Sequence, residues 1–457
     1  MKLNRDLAFP RDGLPKPARI RALVAIAFSI GIAVLDGTMI NIALPSIARE
    51  LGVAPSQTVW IVNAYLAGVI TAVLPLASLG EIKGYRTIYR CGLVVFSIGA
   101  ACCFFATDLQ LLVGARFIQG LGAAGIMSVN AALVRFIFPR AQLGRGVGIN
   151  AMIVASAASL GPSVAAGVLA VATWPWLFLV DFIIGGIALG LTARTLPLIR
   201  TAEHRFDYLS ALLCALTLAC LAIGIASPGY SLPALAIVTI WVTALALIYL
   251  LVRRQRHTAA PLFPIDLLVI PSLSLALLTS FCAFTSQISA FIAIPFFLQA
   301  VKGYSPVATG LLITPWPVAI MIMAPVAGRL ADRYAVGALC MVGMSLMASG
   351  LVSLSLMPAQ APLVSVLWRI ALCGAGFGLF HAPNNRAILA SAPRERSGGA
   401  AGLQGTTRLL GQTTGASITA VALSILDSQS TIAVAAAFAG VASIVSSYRL
   451  KATSPSS

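Results

Sequence analysis

Three ionisable residues, Asp36, Arg116 and Asp181, stand inside runs that otherwise belong in lipid. From Ala22 to Leu44, Asp36 is the only charge, and at ~1.5 Å rise per residue that stretch crosses a hydrocarbon core of ~30 Å. A carboxylate near the middle of a span costs roughly 2.5–3.5 kcal/mol on insertion scales, so such residues face a bundle interior, a cavity or an ion pathway. Counted from the ends of their runs, Asp36 lies ~13 Å, Arg116 ~10 Å and Asp181 ~8 Å from one membrane face. The spacing therefore predicts that all three share a layer. A guanidinium beside a carboxylate favours its ionised form, and moving the two apart favours proton uptake. Reversible proton binding tied to movement is the chemistry these residues could do. The plainer alternatives are an Asp that pins two helices by hydrogen bonds and a static buried ion pair.

Other polar and aromatic residues in the apolar runs are candidates for a substrate cavity: Asn41, Trp60, Asn63, Tyr65, Gln119, Phe284, Trp316, His381 and Asn384. Packing and interfacial anchoring are the competing roles for the aromatics, and a satisfied core position is the competing role for His381. Other chemistries lack their residues. No Gly-Lys dipeptide occurs, which excludes a G-x-x-x-x-G-K-[ST] phosphate loop. Of His204, His257 and His381 only the last lies in an apolar run, which excludes a haem held by two histidines in the membrane. The eight cysteines form no C-x-x-C pair, and no H-E-x-x-H helix is present. The reading is of a non-enzyme without cofactor or metal, driven by an ion gradient.

The elements that must position these residues are transmembrane helices. Hydrophobic residues make up 59% of 457 positions and charged ones 9%, with mean hydropathy +0.96, values far from those of a soluble domain. The net charge of +17 is not a nucleic-acid surface, because the Lys and Arg fall mainly in the termini and in alternate loops. That bias places both termini in the cytoplasm of a multi-pass inner-membrane protein. Spans are predicted near 21–46, 57–79, 88–107, 109–136, 145–172 and 174–196, then 207–227 and 231–252, then 271–300, 306–331, 336–357, 362–391, 398–425 and 428–448. The expected fold is all-α: fourteen transmembrane helices in two six-helix bundles with an inserted two-helix hairpin. The corresponding divisions are tails at 1–20 and 449–457, bundles at 21–196 and 271–448, and a linker with the hairpin at 197–270. Paired features of the halves, LGEIKGYR (79–86) against RLADRYAVG (329–337) and QGLGAAG (119–125) against CGAGFG (373–378), suggest a duplication.

With these motifs in hand, the chain resembles the major facilitator superfamily, and within it the fourteen-span drug/proton antiporter branch. Leu35-Asp36-Gly37-Thr38 through Asn41, Ala43, Leu44 and Pro45 is similar to that branch's first-span motif. Leu112, Arg116, Gln119, Gly120, Gly122, Ala123 and Ala124 fit the fourth-span motif, whose Arg the family assigns to proton coupling. Gly161-Pro162 matches the antiporter motif of span five, although Ala165 and Ala166 replace two usual glycines. Trp174-Pro175-Trp176 resembles the lead into span six, with Asp181 where Asn is common. Glu81, Gly84 and Arg86, and in the second half Asp332 and Arg333, resemble the superfamily's gating loops. Gly303-Tyr304-Ser305-Pro306 and Thr406, Arg408, Gly411 and Gly415 fit the same branch, whereas Asn63 replaces a carboxylate frequent in exporters of quaternary ammonium dications.

The resemblance implies a proton-coupled antiporter that exports lipophilic toxic compounds, cationic or neutral, by alternating access. Its expected partners are protons, a small-molecule substrate and the lipid bilayer, with a periplasmic adaptor as a further candidate and a monomer as the expected state. Rival readings are a metabolite exporter, a proton-symport uptake carrier and a non-transporting sensor or scaffold.

Overall fold

The computed structural model of the chain describes residues 12–198, 207–227, 233–255, 265–358, 360–393 and 396–453. Most of the N-terminal tail, most of the 197–206 linker, the end of the RRQRH loop and Arg394 lie outside these residues. The described chain is built of helices: α1 (Lys16–Leu51), α2 (Pro55–Lys83), α3 (Tyr85–Phe104), α4 (Leu109–Ile137), α5 (Leu143–Val171), α6 (Pro175–Thr195), α7 (Tyr208–Ala226), α8 (Ala234–Gln255), α9 (Pro271–Phe296), α10 (Pro306–Ile313), α11 (Pro315–Leu330), α12 (Val336–Ser355), α13 (Leu363–Ser391), α14 (Ser397–Ile425) and α15 (Ser428–Thr453). α10 and α11 form one crossing, bent at Thr314 where two prolines, Pro315 and Pro317, withhold backbone donors. The architecture is therefore a fourteen-helix membrane fold. Thirteen of the crossings are long and apolar enough to span a bilayer. The other, α14, is as long but carries Arg408 and a run of Thr and Gln.

Two predicted spans differ in detail. The first extends well past 21–46 at both ends, because Pro15 and Pro17 favour a helix start and Gly52, at φ +63°, supplies the left-handed stop. The ninth ends in a π-helical turn over Phe297–Val301, just after Pro295.

Helices pair in the same pattern in both halves. α1 packs on α5 and α6, α3 on α4 and α6, and α2 on α4; correspondingly α9 packs on α14 and α15, α12 on α13 and α15, and α11 on α13. Close contacts also match: a Cβ at Gly120 would meet the Tyr65 carbonyl at 2.2 Å, and one at Gly374 the Trp316 carbonyl at 2.2 Å. Lipid offers little drive for helices to associate, so close backbone approach at small residues is what holds such pairs. The α7–α8 hairpin lies outside this repeat, with α7 against α2 and α14. Its base is clamped by Asp207, which caps α7 through the Ser210 amide at 3.0 Å and pairs with Arg254 at 3.0 Å.

Candidate functional site

The layer predicted from depth is a connected network. Asp36 on α1, Arg116 on α4 and Asp181 on α6 are all fully buried. Arg116 Nη1 donates to Asp36 Oδ1 at 2.6 Å and to Gln119 Oε1 at 2.7 Å, and Nε donates to the Ile61 carbonyl on α2 at 3.3 Å. Gln119 Nε2 then donates to Asp181 Oδ2 at 3.4 Å. Arg116 Nη2 has no acceptor; the guanidinium lies 4.4 Å from the Tyr65 ring centroid and 5.7 Å from that of Phe178. Tyr65 is itself fixed through its hydroxyl, which donates to the Ala33 carbonyl at 3.1 Å. Four helices thus meet at one guanidinium.

Asp36 Oδ2 and Asp181 Oδ1 find no hydrogen-bond partner among the described residues. Ionised carboxylates only accept, and a carboxyl that takes a proton can donate as well. The arrangement can hold a proton between two acids beside one fixed cation. Around it are further unsatisfied polar atoms: Asn41 keeps Nδ2 on the Gly37 carbonyl at 3.1 Å but leaves Oδ1 unpaired, and both amide atoms of Asn63 are unpaired. A Cβ at Gly37, next to Asp36, would meet nothing within 4 Å. Trp60 is half-buried on α2.

The C-terminal half presents a different surface. Phe284, Phe377 and His381 form an aromatic cluster, with Phe284 to Phe377 at 5.5 Å and His381 stacked on Phe377 at 5.6 Å. His381 Nε2 lies 3.2 Å from the Asn385 amide nitrogen, and Nδ1 has no partner. Two predicted cavity residues sit elsewhere. Asn384 is a clamp inside the bundle, donating to the Ala276 carbonyl at 3.1 Å and Ser280 Oγ at 2.8 Å while accepting from Arg449 at 2.6 Å. Trp316 is wholly buried, 5.0 Å from Phe291 and pressed against α13. Both corrections have one cause: a polar or aromatic residue in a span faces either a cavity or a neighbouring helix, and short sequence windows do not separate the two.

Gly161 and Pro162 sit where three helices converge. A Cβ at Gly161 would meet Thr38 Oγ1 at 1.9 Å on α1, and one at Gly310 would meet the Pro162 carbonyl at 2.5 Å, so α5 touches both α1 and α10. This contact lies toward the face opposite the termini. There Ser163 and Thr314 hydroxyls are 3.1 Å apart and Gln299 Nε2 donates to the Ile42 carbonyl at 3.0 Å, joining the halves. At the terminus-bearing face, Arg86, Asp332 and Arg396 each make a polar contact within their own half. Arg86 donates to the Ala193 carbonyl on α6, Asp332 pairs with Arg386 on α13, and Arg396 pairs with Asp266 at 2.8 Å. Glu81 and Arg333 are exposed there, and Gly84 turns the chain from α2 to α3 at φ +91°.

Sequence reasoning missed Gln299 and Arg449. Arg449 reads as a flanking base because it follows the last apolar run, yet it reaches back to α13. Gln299 carried no signal beyond being polar at a helix end.

Comparison with known proteins fits this architecture. A profile of the Major Facilitator Superfamily matches residues 26–416, and a second alignment covers 276–456. The chain is 46% identical to the uncharacterized transporter YebQ of Escherichia coli K12, over 96% of this chain and 97% of that one. It is 28% identical to the riboflavin transporter RibZ of Clostridioides difficile, over 82% of each chain. With the multidrug resistance protein Stp of Mycobacterium tuberculosis H37Rv identity is 30%, over 87% of this chain and 75% of that one. The fold is shared with a crystal structure of a POT family transporter, with a TM-score of 0.71, 16% identity and coverage of 98% and 99%. This chain is a multi-pass membrane transporter belonging to the Major Facilitator Superfamily.

Proposed function

We propose that this transporter is a proton-coupled antiporter that exports lipophilic organic compounds across the inner membrane of a bacterial cell, with both termini in the cytoplasm. The observation that carries the reading is the buried Asp36–Arg116 pair, tied through Gln119 to a second acid, Asp181. A purely structural pair would be more cheaply replaced by apolar packing, and two acids beside one cation have room for a proton. A proton arriving at Asp36 removes the charge that holds Arg116 and loosens the contact among α1, α2, α4 and α6.

The network is linked to the gate by α1. Asp36 and Ile42, whose carbonyl joins the halves through Gln299, are six residues apart on that helix, ~9 Å at helical rise. Movement of α1 at Asp36 is therefore felt at the closed outer contact. In this reading the structure represents the inward-open member of the cycle, and the loops bearing Glu81, Arg86, Asp332 and Arg333 join across the halves in the other. Export of toxic compounds draws support from Stp, named for multidrug resistance. RibZ, named for riboflavin, favours a second reading, in which the cargo is an endogenous metabolite.

Everted vesicles carrying a pH-gradient dye test the coupling. Addition of an exported compound is expected to release protons through the wild type and not through Asp36→Asn, whose amide oxygen can still accept from Arg116 and whose folding is checked by its melting temperature because the buried guanidinium loses its counter-charge. Equal proton release from the variant would place coupling elsewhere. Growth profiles of cells lacking or overproducing the protein, read against toxic compounds and against riboflavin-like metabolites, separate the two cargo readings.

A further inference from the structure

The face opposite the termini, where the halves meet, also holds a cleft. It measures about 370 Å³, within the range of small-molecule sites, and is lined by the end of α1, the α1–α2 turn and the start of α2 on one side and by the end of α9 on the other. Pro45, Val53, Pro55 and Phe296 give it apolar walls, and Arg49 is its one charged lining residue. Gln299, also in the lining, sits in the π-helical turn after α9 and donates to the Ile42 carbonyl of α1 at 3.0 Å. The cleft therefore adjoins a hydrogen bond that joins the halves, and π-helical turns are frequent at functional sites.

Arg49 runs against the charge pattern of the chain. Outside the predicted spans, Arg49 and Lys302 are the basic residues on this side, whereas Lys and Arg crowd the loops of the other. Lys302 is committed, its Nζ donating to the Pro358 carbonyl at 2.6 Å. Arg49 is exposed; its Nη2 donates to Ser46 Oγ at 3.4 Å, and it joins no ion pair among the described residues. Neighbouring Glu50 does not line the cleft. A guanidinium carries five donors in a planar fork that fits a carboxylate, so most of that capacity is open to a ligand. Apolar walls with a single cation suit an organic anion better than a cation or a bare inorganic ion.

We infer that the cleft is a ligand site of its own, which takes a small organic anion with its carboxylate on Arg49 and its apolar body against Pro45, Val53 and Phe296. A ligand there touches both halves and is held while they stay together at this face, so its binding favours the closed arrangement. The inference rests on the reading of the chain as an alternating-access carrier but not on proton coupling, since neither Asp36 nor Arg116 lines the cleft. Benzoate, benzamide and inorganic phosphate serve as probes, with binding to the full chain measured in lipid nanodiscs, which expose both faces and carry no gradient. Benzoate is expected to bind about tenfold tighter than either of the others, a gap of about 1.4 kcal/mol. Arg49→Gln should bring benzoate down to the affinity of benzamide, and Arg49→Lys should restore part of the gap. Benzoate should also speed the cross-linking of Ser163→Cys to Thr314→Cys, because it holds the halves together beside that pair. No binding of benzoate, equal binding of benzoate and benzamide, phosphate binding as tightly as benzoate, or a gap that survives in a folded Arg49→Gln protein would each overturn the site. Cross-linking that is unchanged or slowed by bound benzoate would overturn its tie to the closed face. The plainer role of Arg49, offsetting the dipole of α1 from its last turn, predicts no benzoate binding. The wild-type comparison needs no variant, and none of these outcomes depends on whether Asp36 carries a proton, so the two readings fail separately.

Discussion

Arg116 is irreplaceable by another cation, because its separate nitrogens serve different helices: Nη1 holds Asp36 and Gln119, and Nε holds the Ile61 carbonyl. Arg116→Lys keeps the charge but has no planar fork to reach all three and no flat face for Tyr65. Losing charged hydrogen bonds of this kind costs about 1.5–3 kcal/mol each. The variant is expected to melt at a lower temperature in detergent and to lose exchange, and an unchanged melting point would show that the network is not cohesive. Asp181 differs from Asp36 in having an amide partner instead of a guanidinium. Asp181→Asn can keep its contact with Gln119 while removing one titratable oxygen pair. We expect it to transport with fewer protons per cargo, read as a shifted reversal potential in proteoliposomes, whereas an unchanged potential would leave Asp36 as the sole proton site.

Helices are held by contact geometry that the two halves share. Gly120 lets α4 approach α2, and Gly374 lets α13 approach α11. A methyl group at either position points into a carbonyl oxygen, and overpacking of this sort costs about 1–3 kcal/mol. Gly120→Ala and Gly374→Ala should each lower thermal stability by a similar amount, and a neutral result at one would break the equivalence of the halves. The inserted hairpin is held differently, by the exposed Asp207–Arg254 pair at its base. The hydrogen bond from Arg254, then that from Ser210, hold the Asp207 carboxyl down at about 2. A depressed carboxyl stabilises the fold above its unfolded value of about 3.9 and loses that contribution as pH falls toward 2. Solvent screening keeps an exposed pair to about 1 kcal/mol at most. Amide exchange in the first turn of α7 is therefore expected to quicken in Asp207→Asn without a change in global melting.

At the scale of the whole molecule, the halves meet firmly at one face, where Ser163 and Thr314 touch across α5 and α10. Cysteines at these two positions, in a background without the native thiols, should cross-link under a mild oxidant and stop transport until reduced. Transport that continues through a cross-linked protein would mean that this contact does not open in the cycle. At the other face Arg86 donates to the Ala193 carbonyl and Asp332 pairs with Arg386, each contact within one half. Rocking of two bodies about a central site would have to break the bridging contacts at the first face.

Fourteen crossings, the duplication and the layer shared by Asp36, Arg116 and Asp181 were all legible in the chain, because they depend on hydropathy and on helical rise, which are local and additive along the sequence. The spare spans of the hairpin were countable in the same way. Which way a side chain points is not local. Asn384 and Asn63 are both amides in apolar runs, yet one is saturated by α9 and α15 and the other is left with both atoms unpaired. Arg116 and Arg408 are both arginines within spans, and only packing decided that the first has Asp36 at 2.6 Å while the second joins no ion pair among the described residues. The prolines after Thr314 bend that crossing, and nothing local in the chain brings Thr314 to Ser163. Rotation of each helix about its own axis is set by which neighbour its small residues admit, and those neighbours come from distant parts of the chain.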